Sequence, residues 1–308
     1  MTRPANLARP HLLETMVPIL FVPIWSTGFI GGKLGLPYAE PYTFLAIRYG
    51  LVVLLIGAIA LAMRAPWPRD WRQAAHIGFS GLLLQGVNIG CVFDAIHHGL
   101  PAGVASLIVG LQPLLTAAVV GPILGERVGR VQWFGLVLGL AGVALVVEEK
   151  LGGTFGLMPV GLAGIALCAI TFGTVYQKRF CPHFDLRTGL AIQHIVAFAY
   201  VGLLALTTET RHVAWSGEFV FALTWLVLVL SIGAMSLLFL MIRRGAASRT
   251  AALFYLVPPC TALIAWLLFG ERLGLLALGG MALTALGVFL ATRTPRTIPD
   301  PLTAVDAA

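Results

Sequence analysis

The stretch LQPLLTAAVVGPILGERV, residues 111–128, returns 145 residues later as LVPPCTALIAWLLFGERL, residues 256–273. In each copy a proline (Pro113, Pro258) sits inside an apolar run, and Gly-Glu-Arg closes that run. The same offset joins Gly28 to Gly173, Lys33 to Lys178, Thr116-Ala117 to Thr261-Ala262, and Gly135 and Gly142 to Gly280 and Gly287. With a one-residue slip, Ile96-His97-His98-Gly99 aligns with Ile242-Arg243-Arg244-Gly245. Chance accounts for isolated Gly or Ala matches, but poorly for a proline and a Glu-Arg repeated at one spacing. The duplication predicts one structural unit used twice.

Composition says what kind of unit. The chain has 308 residues, 58% hydrophobic and 11% charged, with mean hydropathy +0.92. Soluble domains carry about 25% charged residues, so an ordinary water-soluble globule is excluded. Apolar runs near the ~20 residues that cross a bilayer recur along the chain. Ten spans can be marked: about 13–33, 41–63, 74–96, 101–124 and 130–147, then 156–177, 187–207, 218–242, 247–269 and 273–292. Arg3 and Arg9 before the first run resemble a signal-peptide n-region, but the run continues to about Gly32 and is read as a retained helix. Five spans per half is an odd number, so the second half must enter the membrane upside down. The expected fold is an all-α polytopic membrane protein, ten transmembrane helices arranged as two inverted five-helix repeats, 13–147 and 156–292. Residues 293–308 are expected to form a short disordered cytoplasmic tail.

The basic residues give an orientation. With a cytoplasmic N-terminus, fifteen lie in inner segments: Arg3, Arg9, Arg64, Arg69, Arg72, Arg127, Arg130, Lys178, Arg179, Arg187, Arg243, Arg244, Arg249, Arg293 and Arg296. Four lie outside, Lys33, Lys150, Arg211 and Arg272, and Arg48 lies within a span. That bias places both termini in the cytoplasm of a plasma-membrane protein and explains the net charge of +7 without nucleic acid. Cys91, Cys168 and Cys260 fall in apolar runs and Cys181 stands alone, so neither a disulfide, a metal site nor a cofactor is expected.

WSTGFIGGKLGLPYAEPYTFLAIRY (25–49) and HHGLPAGVASLIVGLQPLLTAAVVGPILGERV (97–128) resemble segments of an EamA-type domain. The chain looks like two such domains in tandem, the ten-helix branch of the drug/metabolite transporter superfamily. The resemblance runs from about residue 15 to 292. It implies a secondary carrier, often an exporter, of small metabolites such as amino acids or drug-like compounds.

Polar groups within the spans are the candidates for the transport path, since hydrocarbon makes them expensive. Arg48 could neutralise an anionic solute; alternatively it ties span 2 to neighbouring carbonyls, and the resemblance implies a basic residue here whatever is carried. Asp94, His97 and His98 share a helix face at i, i+3 and i, i+4 and could relay protons, or form an interfacial cluster. Asn88 and Gln112 could orient a polar solute or hold helices together. Trp25, Tyr176 and Tyr255 could frame a cavity or pack. Pro113 and Pro258 are expected to bend their helices near mid-membrane. Glu126, Arg127, Glu271 and Arg272 are read as helix-end anchors or gate contacts. Gly135 and Gly139, in GxxxG spacing, permit close helix packing, with a monomer or weak homodimer expected.

A secondary transporter working by alternating access is the leading expectation, with partners limited to a small-molecule substrate, the bilayer and, through Asp94, protons. An intramembrane enzyme would need a compact motif that the sequence lacks, and no Walker-type phosphate loop is present. A receptor or scaffold leaves the inverted duplication unexplained.

Overall fold

The computed structural model describes residues 10–116, 129–151, 156–181, 183–234, 237, 254–271 and 274–292. Ten helical elements can be followed among them. The first repeat holds α1 (Pro10–Gly35), α2 (Pro41–Ala62), α3 (Trp71–His97), α4 (Ala102–Thr116) and α5 (Arg130–Leu151). The second holds α6 (Leu157–Phe180), α7 (Leu186–Thr208), α8 (Gly217–Ala234), α9 (Val257–Phe269) and α10 (Leu275–Thr292). Of these, α2, α3, α6, α7 and α8 are long and apolar enough to cross a membrane, and α4, α5, α9 and α10 contain shorter apolar stretches. The expected tail, 293–308, lies outside the described residues.

Each helix of the first repeat meets its counterpart, or its counterpart's neighbours, in the second. The pairs α5–α10, α2–α7 and α4–α9 each join two equivalent helices, while α3–α6 is mirrored by α8–α1. The α5–α10 contact shows the relation atom by atom. A Cβ on Gly142 would strike the Gly280 carbonyl and Thr284, and one on Gly287 would strike the backbone of Gly135 and Gly139. The contact 142–280 becomes 287–135 when the repeats are exchanged, so it is two-fold symmetric. Rising numbers on α5 meet falling numbers on α10, so the equivalent helices are antiparallel and the repeats inverted. Thr284 Oγ1 lies on the centre of this crossing, 3.4 Å from the Gly139 carbonyl and 2.8 Å from that of Gly280. Small residues are what allow backbones to meet so closely where lipid supplies no hydrophobic drive between helices.

The same rule runs through the bundle. Gly28 packs on Leu230 of α8, and its counterpart Gly173 packs on Leu83 and Leu84 of α3. Gly103 faces Ala262, and Gly110 faces Pro258, across an antiparallel α4–α9 contact. Of Gly279 and Gly280 only the second is in contact; a side chain at Gly279 would meet nothing.

Two departures from regular helix also repeat. α3 widens to a π-turn at Leu82–Val87, and α8 does so at Trp225–Ala234, a range that contains the equivalent residues 227–232. The prolines of the duplicated motif mark helix starts where bends were expected. α4 is interrupted at Gly110–Leu111 and resumes at Gln112, so Pro113 lies in a first turn. α9 is preceded by the 3-10 turn Phe254–Leu256, and Pro258 again lies in the first turn. Proline lacks the N–H that a first turn leaves unbonded anyway, so it tolerates the break better than a mid-helix position.

Enlarging Gly142 tests the symmetric crossing. Gly142→Val should destabilise the purified protein by about 1–3 kcal/mol, as overpacked sites do, and lower its melting temperature. Gly57→Ala, where a side chain meets open space, should leave melting nearly unchanged. Equal melting of the two variants would contradict the crossing.

Candidate transport path and gates

The pseudo-two-fold axis passes between Tyr49 and His194, which are equivalent residues and touch edge to face at 5.4 Å. Around them α2, α3, α7 and α8 bury a polar cluster. The Tyr49 hydroxyl donates to the Gln85 carbonyl (2.8 Å) inside the π-turn of α3. A π-turn breaks the regular carbonyl ladder, and a phenol from α2 takes one of the groups it leaves. Gln193 donates to Ser80 Oγ (3.0 Å) and to Gln177 Oε1 (2.8 Å). Arg48, equivalent to Gln193, is 5% exposed and reaches Ser231 Oγ on the π-run of α8 at 3.4 Å. Ser231 in turn donates to the Leu226 carbonyl at 3.0 Å.

Asn88 follows the π-turn of α3; its Nδ2 donates to the Leu84 carbonyl (3.1 Å), and its buried Oδ1 has no described partner. Gln112 on α4 reaches Thr174 on α6 at 3.0 Å, near the solvent-accessible side of both helices. Trp25 packs with Phe21 and Phe254, at ring distances of 5.2 and 5.3 Å, where α1 meets the start of α9. Tyr176 belongs to a different group: its hydroxyl lies 2.6 Å from His76 Nδ1, and its ring packs on Phe79 and Phe180 between α3 and α6. Tyr255 is in the turn before α9, and its side chain lies outside the described set. The five path candidates therefore do not form one cluster.

Asp94, His97 and His98 do come together. His98 Nδ1 lies 3.0 Å from Asp94 Oδ1, and the two imidazoles meet edge to face at 5.4 Å. The structure adds Tyr42 from α2, whose hydroxyl donates to Asp94 Oδ2 at 3.1 Å. This cluster stands beside a reciprocal carboxylate clamp. Glu209 accepts from the backbone N–H groups of Tyr42 and Thr43 (2.7 and 2.6 Å), capping α2 from the second repeat. Glu40 accepts from the Thr210 hydroxyl and N–H (2.7 Å each) and from Arg211 N–H (3.1 Å). The Thr210 hydroxyl, more than the backbone donors, holds the Glu40 carboxyl below the usual carboxylate range. A short antiparallel bridge, Ala39 to Val213, closes the same loops.

Glu271 is the helix-end residue that the structure places in an ion pair. It binds Lys33 at the end of α1, and the Lys33 ammonium also stands 4.8 Å over the Phe269 ring. Lys33 and Glu271 were separately visible in the sequence, one as a repeat match and one as a motif end. What linked them was the parallel run of α1 beside α9, fixed by Ser26 to the Val257 carbonyl (3.3 Å) and by packing of Ile30 with Ala265. Lys178, the counterpart of Lys33, is exposed and forms no ion pair with a described residue. Glu126, Arg127 and Arg272 lie outside the described residues.

Comparison with known proteins accounts for this architecture. The EamA-like transporter family matches residues 15–148 and again 158–293. The uncharacterized transporter YvbV of Bacillus subtilis is 27% identical over 292 residues, covering 91% of this chain and 92% of its own. A Salmonella typhimurium protein named "Probable amino-acid metabolite efflux pump" is 27% identical, covering 90% and 94%. One from Streptantibioticus cattleyicolor, named "Probable terminal-alkyne amino-acid exporter", is 30% identical, covering 89% and 92%. A solved crystal structure shares the fold, with a TM-score of 0.63 at 20% identity, over 90% of this chain and 96% of that one. These relatives are named as transporters and pumps, not enzymes, and two five-helix repeats filling both family matches make the chain a membrane transporter of the EamA-like transporter family.

Proposed function

We propose that the protein is a secondary active exporter of small amino-acid-like or drug-like metabolites, working across the plasma membrane by alternating access between repeats 13–147 and 156–292. The carrying observation is the set of polar contacts by which the two repeats hold each other at their helix ends. At one end the repeats are joined by the Lys33–Glu271 pair and by the Glu40 and Glu209 clamp. At the other, Thr188 donates to the Pro66 carbonyl (2.9 Å) and Gln73 to the His183 carbonyl (3.0 Å), and Lys178 is exposed. Inverted repeats can exchange the contacts of their equivalent ends by rocking about the axis between them. The residue equivalent to Glu271 is Glu126, so the sequence supplies the complementary pair Lys178 and Glu126 for the reverse state. The charge bias of the loops puts the Lys33 end outside and both termini in the cytoplasm. On this reading the described conformation is closed outward.

Its substrate class rests on the family and on the relatives' names. An export screen tests it: cells overexpressing the protein should accumulate less of at least one amino-acid analogue or drug-like compound than cells lacking it. No difference across a broad panel would count against the exporter reading.

The outer gate is testable separately. In a chain with its native cysteines replaced, Ser26→Cys provides a buried reporter on α1. Adding Glu271→Gln should raise its labelling by an impermeant thiol reagent several-fold, and exchanging the pair (Lys33→Glu with Glu271→Lys) should restore protection. Unchanged labelling in Glu271→Gln would remove the gate.

Proton coupling is assigned to Asp94, held between Tyr42 and His98, with His97 beside it. Asp94→Asn should retain transport while flattening its dependence on pH. A pH profile identical to the parent's would remove this role.

A further inference from the structure

Arg48 is a buried cation that the described part of the bundle leaves without a counter-ion. Its Nε is buried with no hydrogen-bond partner, and its one described hydrogen bond is the long one to the neutral Ser231 hydroxyl. The described acids with partners are engaged elsewhere. Glu40 and Glu209 cap the outer loops, Asp94 pairs with His98, Asp185 with Arg187, Glu218 with Tyr38 and Glu271 with Lys33. A guanidinium kept from water without an anion costs several kcal/mol. A role as a tie between helices would supply carbonyl acceptors, and none among the described residues accepts from Arg48.

Its own symmetry mate shows what a purely structural solution looks like. Gln193 occupies the equivalent position and is satisfied by Ser80 and Gln177 through a neutral amide. The first repeat therefore holds a charge where the same architecture manages without one. The first repeat also holds an unfilled group of the opposite sense on α3. Asn88 Oδ1 is a buried acceptor with no donor among the described residues, one turn along α3 from Gln85, whose carbonyl takes the hydroxyl of Arg48's chain neighbour Tyr49.

We propose that Arg48 binds the carboxylate of the transported solute, so that the exporter selects small carboxylate-bearing compounds. The proposal rests on the transport reading above and names the chemistry of its substrate. Guanidinium and carboxylate match as two parallel charge-assisted hydrogen bonds, the strong geometry for this pair. The vacant Asn88 acceptor suits an N–H donor on the same solute, which makes α-amino acids the appropriate probes. Ser231, on the π-run, is the contact Arg48 gives up when the anion arrives.

The full chain in lipid nanodiscs decides the matter. Thermal stabilisation by a set of L-amino acids is compared with stabilisation by the corresponding amino-acid amides, which keep the ammonium and lose the carboxylate. At least one acid should bind about tenfold or more tighter than its amide, about 1.4 kcal/mol. Arg48→Gln should abolish that discrimination, and Arg48→Lys should keep its direction with weaker binding. Should Arg48→Gln fail to fold, the wild-type and Arg48→Lys comparisons carry the test. Equal response to acids and amides in the wild type, no response to either, or undiminished discrimination in Arg48→Gln would overturn the assignment. The export screen separates the two readings: export confined to compounds lacking a carboxylate sinks the Arg48 site alone, whereas no export of any compound sinks the transport reading itself.

Discussion

Backbone-on-backbone contact between α5 and α10 is the constraint from which the rest of the arrangement follows. Gly142 against Gly280, and Gly135 with Gly139 against Gly287, leave no room for a side chain on either helix. A close antiparallel contact between equivalent helices fixes the two-fold relation between the repeats. Other contacts then recur on the far side of the axis: Gly28 on Leu230 and Gly173 on Leu84, or the π-turn in α3 and the π-run in α8. A single side chain at the crossing would separate more than two helices, because it would displace the axis on which the polar cluster at Tyr49 and His194 is centred.

Hydrocarbon explains why that polar cluster is so economical. A buried hydroxyl or amide in a bilayer must find its partner inside the protein. Ser80, Gln193 and Gln177 satisfy one another across three helices, and Tyr49 takes a carbonyl from the α3 π-turn. Among the described residues the buried groups without a partner, Arg48 Nε, Asn88 Oδ1 and Thr261 Oγ1, stand out against that economy. Arg48 is the chain neighbour of Tyr49 and Asn88 lies one turn from Gln85, whereas Thr261 lies on α9. Unmet donors and acceptors in such a setting are costly unless a ligand meets them.

Much of this was legible in the sequence because it depends on residue type at fixed spacing. The duplicated proline and Glu-Arg, the glycines at one offset and the odd number of spans were enough to foresee inverted repeats. Asp94 and His98 were foreseen because helical spacing alone brings them together. The remaining contacts join positions with no sequence relation. Tyr42 reaches Asp94 across two helices, Glu209 caps a helix in the other repeat, and Lys33 finds Glu271 only because α1 runs parallel to α9. The π-turns were not foreseen, since their signature is a backbone insertion and LLLQGV carries no residue that demands one. The prolines each open a helical segment after an irregular turn, a detail that a local reading cannot distinguish from a bend.

Where the copies agree and where they differ separates packing from chemistry. Gly28 and Gly173, or Gly142 and Gly287, are the same residue because both halves must solve the same steric problem. Arg48 and Gln193, Tyr49 and His194, and His97-His98 and Arg243-Arg244 differ although each pair shares a place in the fold. Part of that difference follows from inversion: equivalent helix ends open on opposite membrane faces, and loops on one face accumulate arginine. Position removes that explanation at the axis, where Arg48 and Gln193 are both buried inside the bundle. One charge on one side of a symmetric junction is an asymmetry that the packing of equivalent helices does not by itself require.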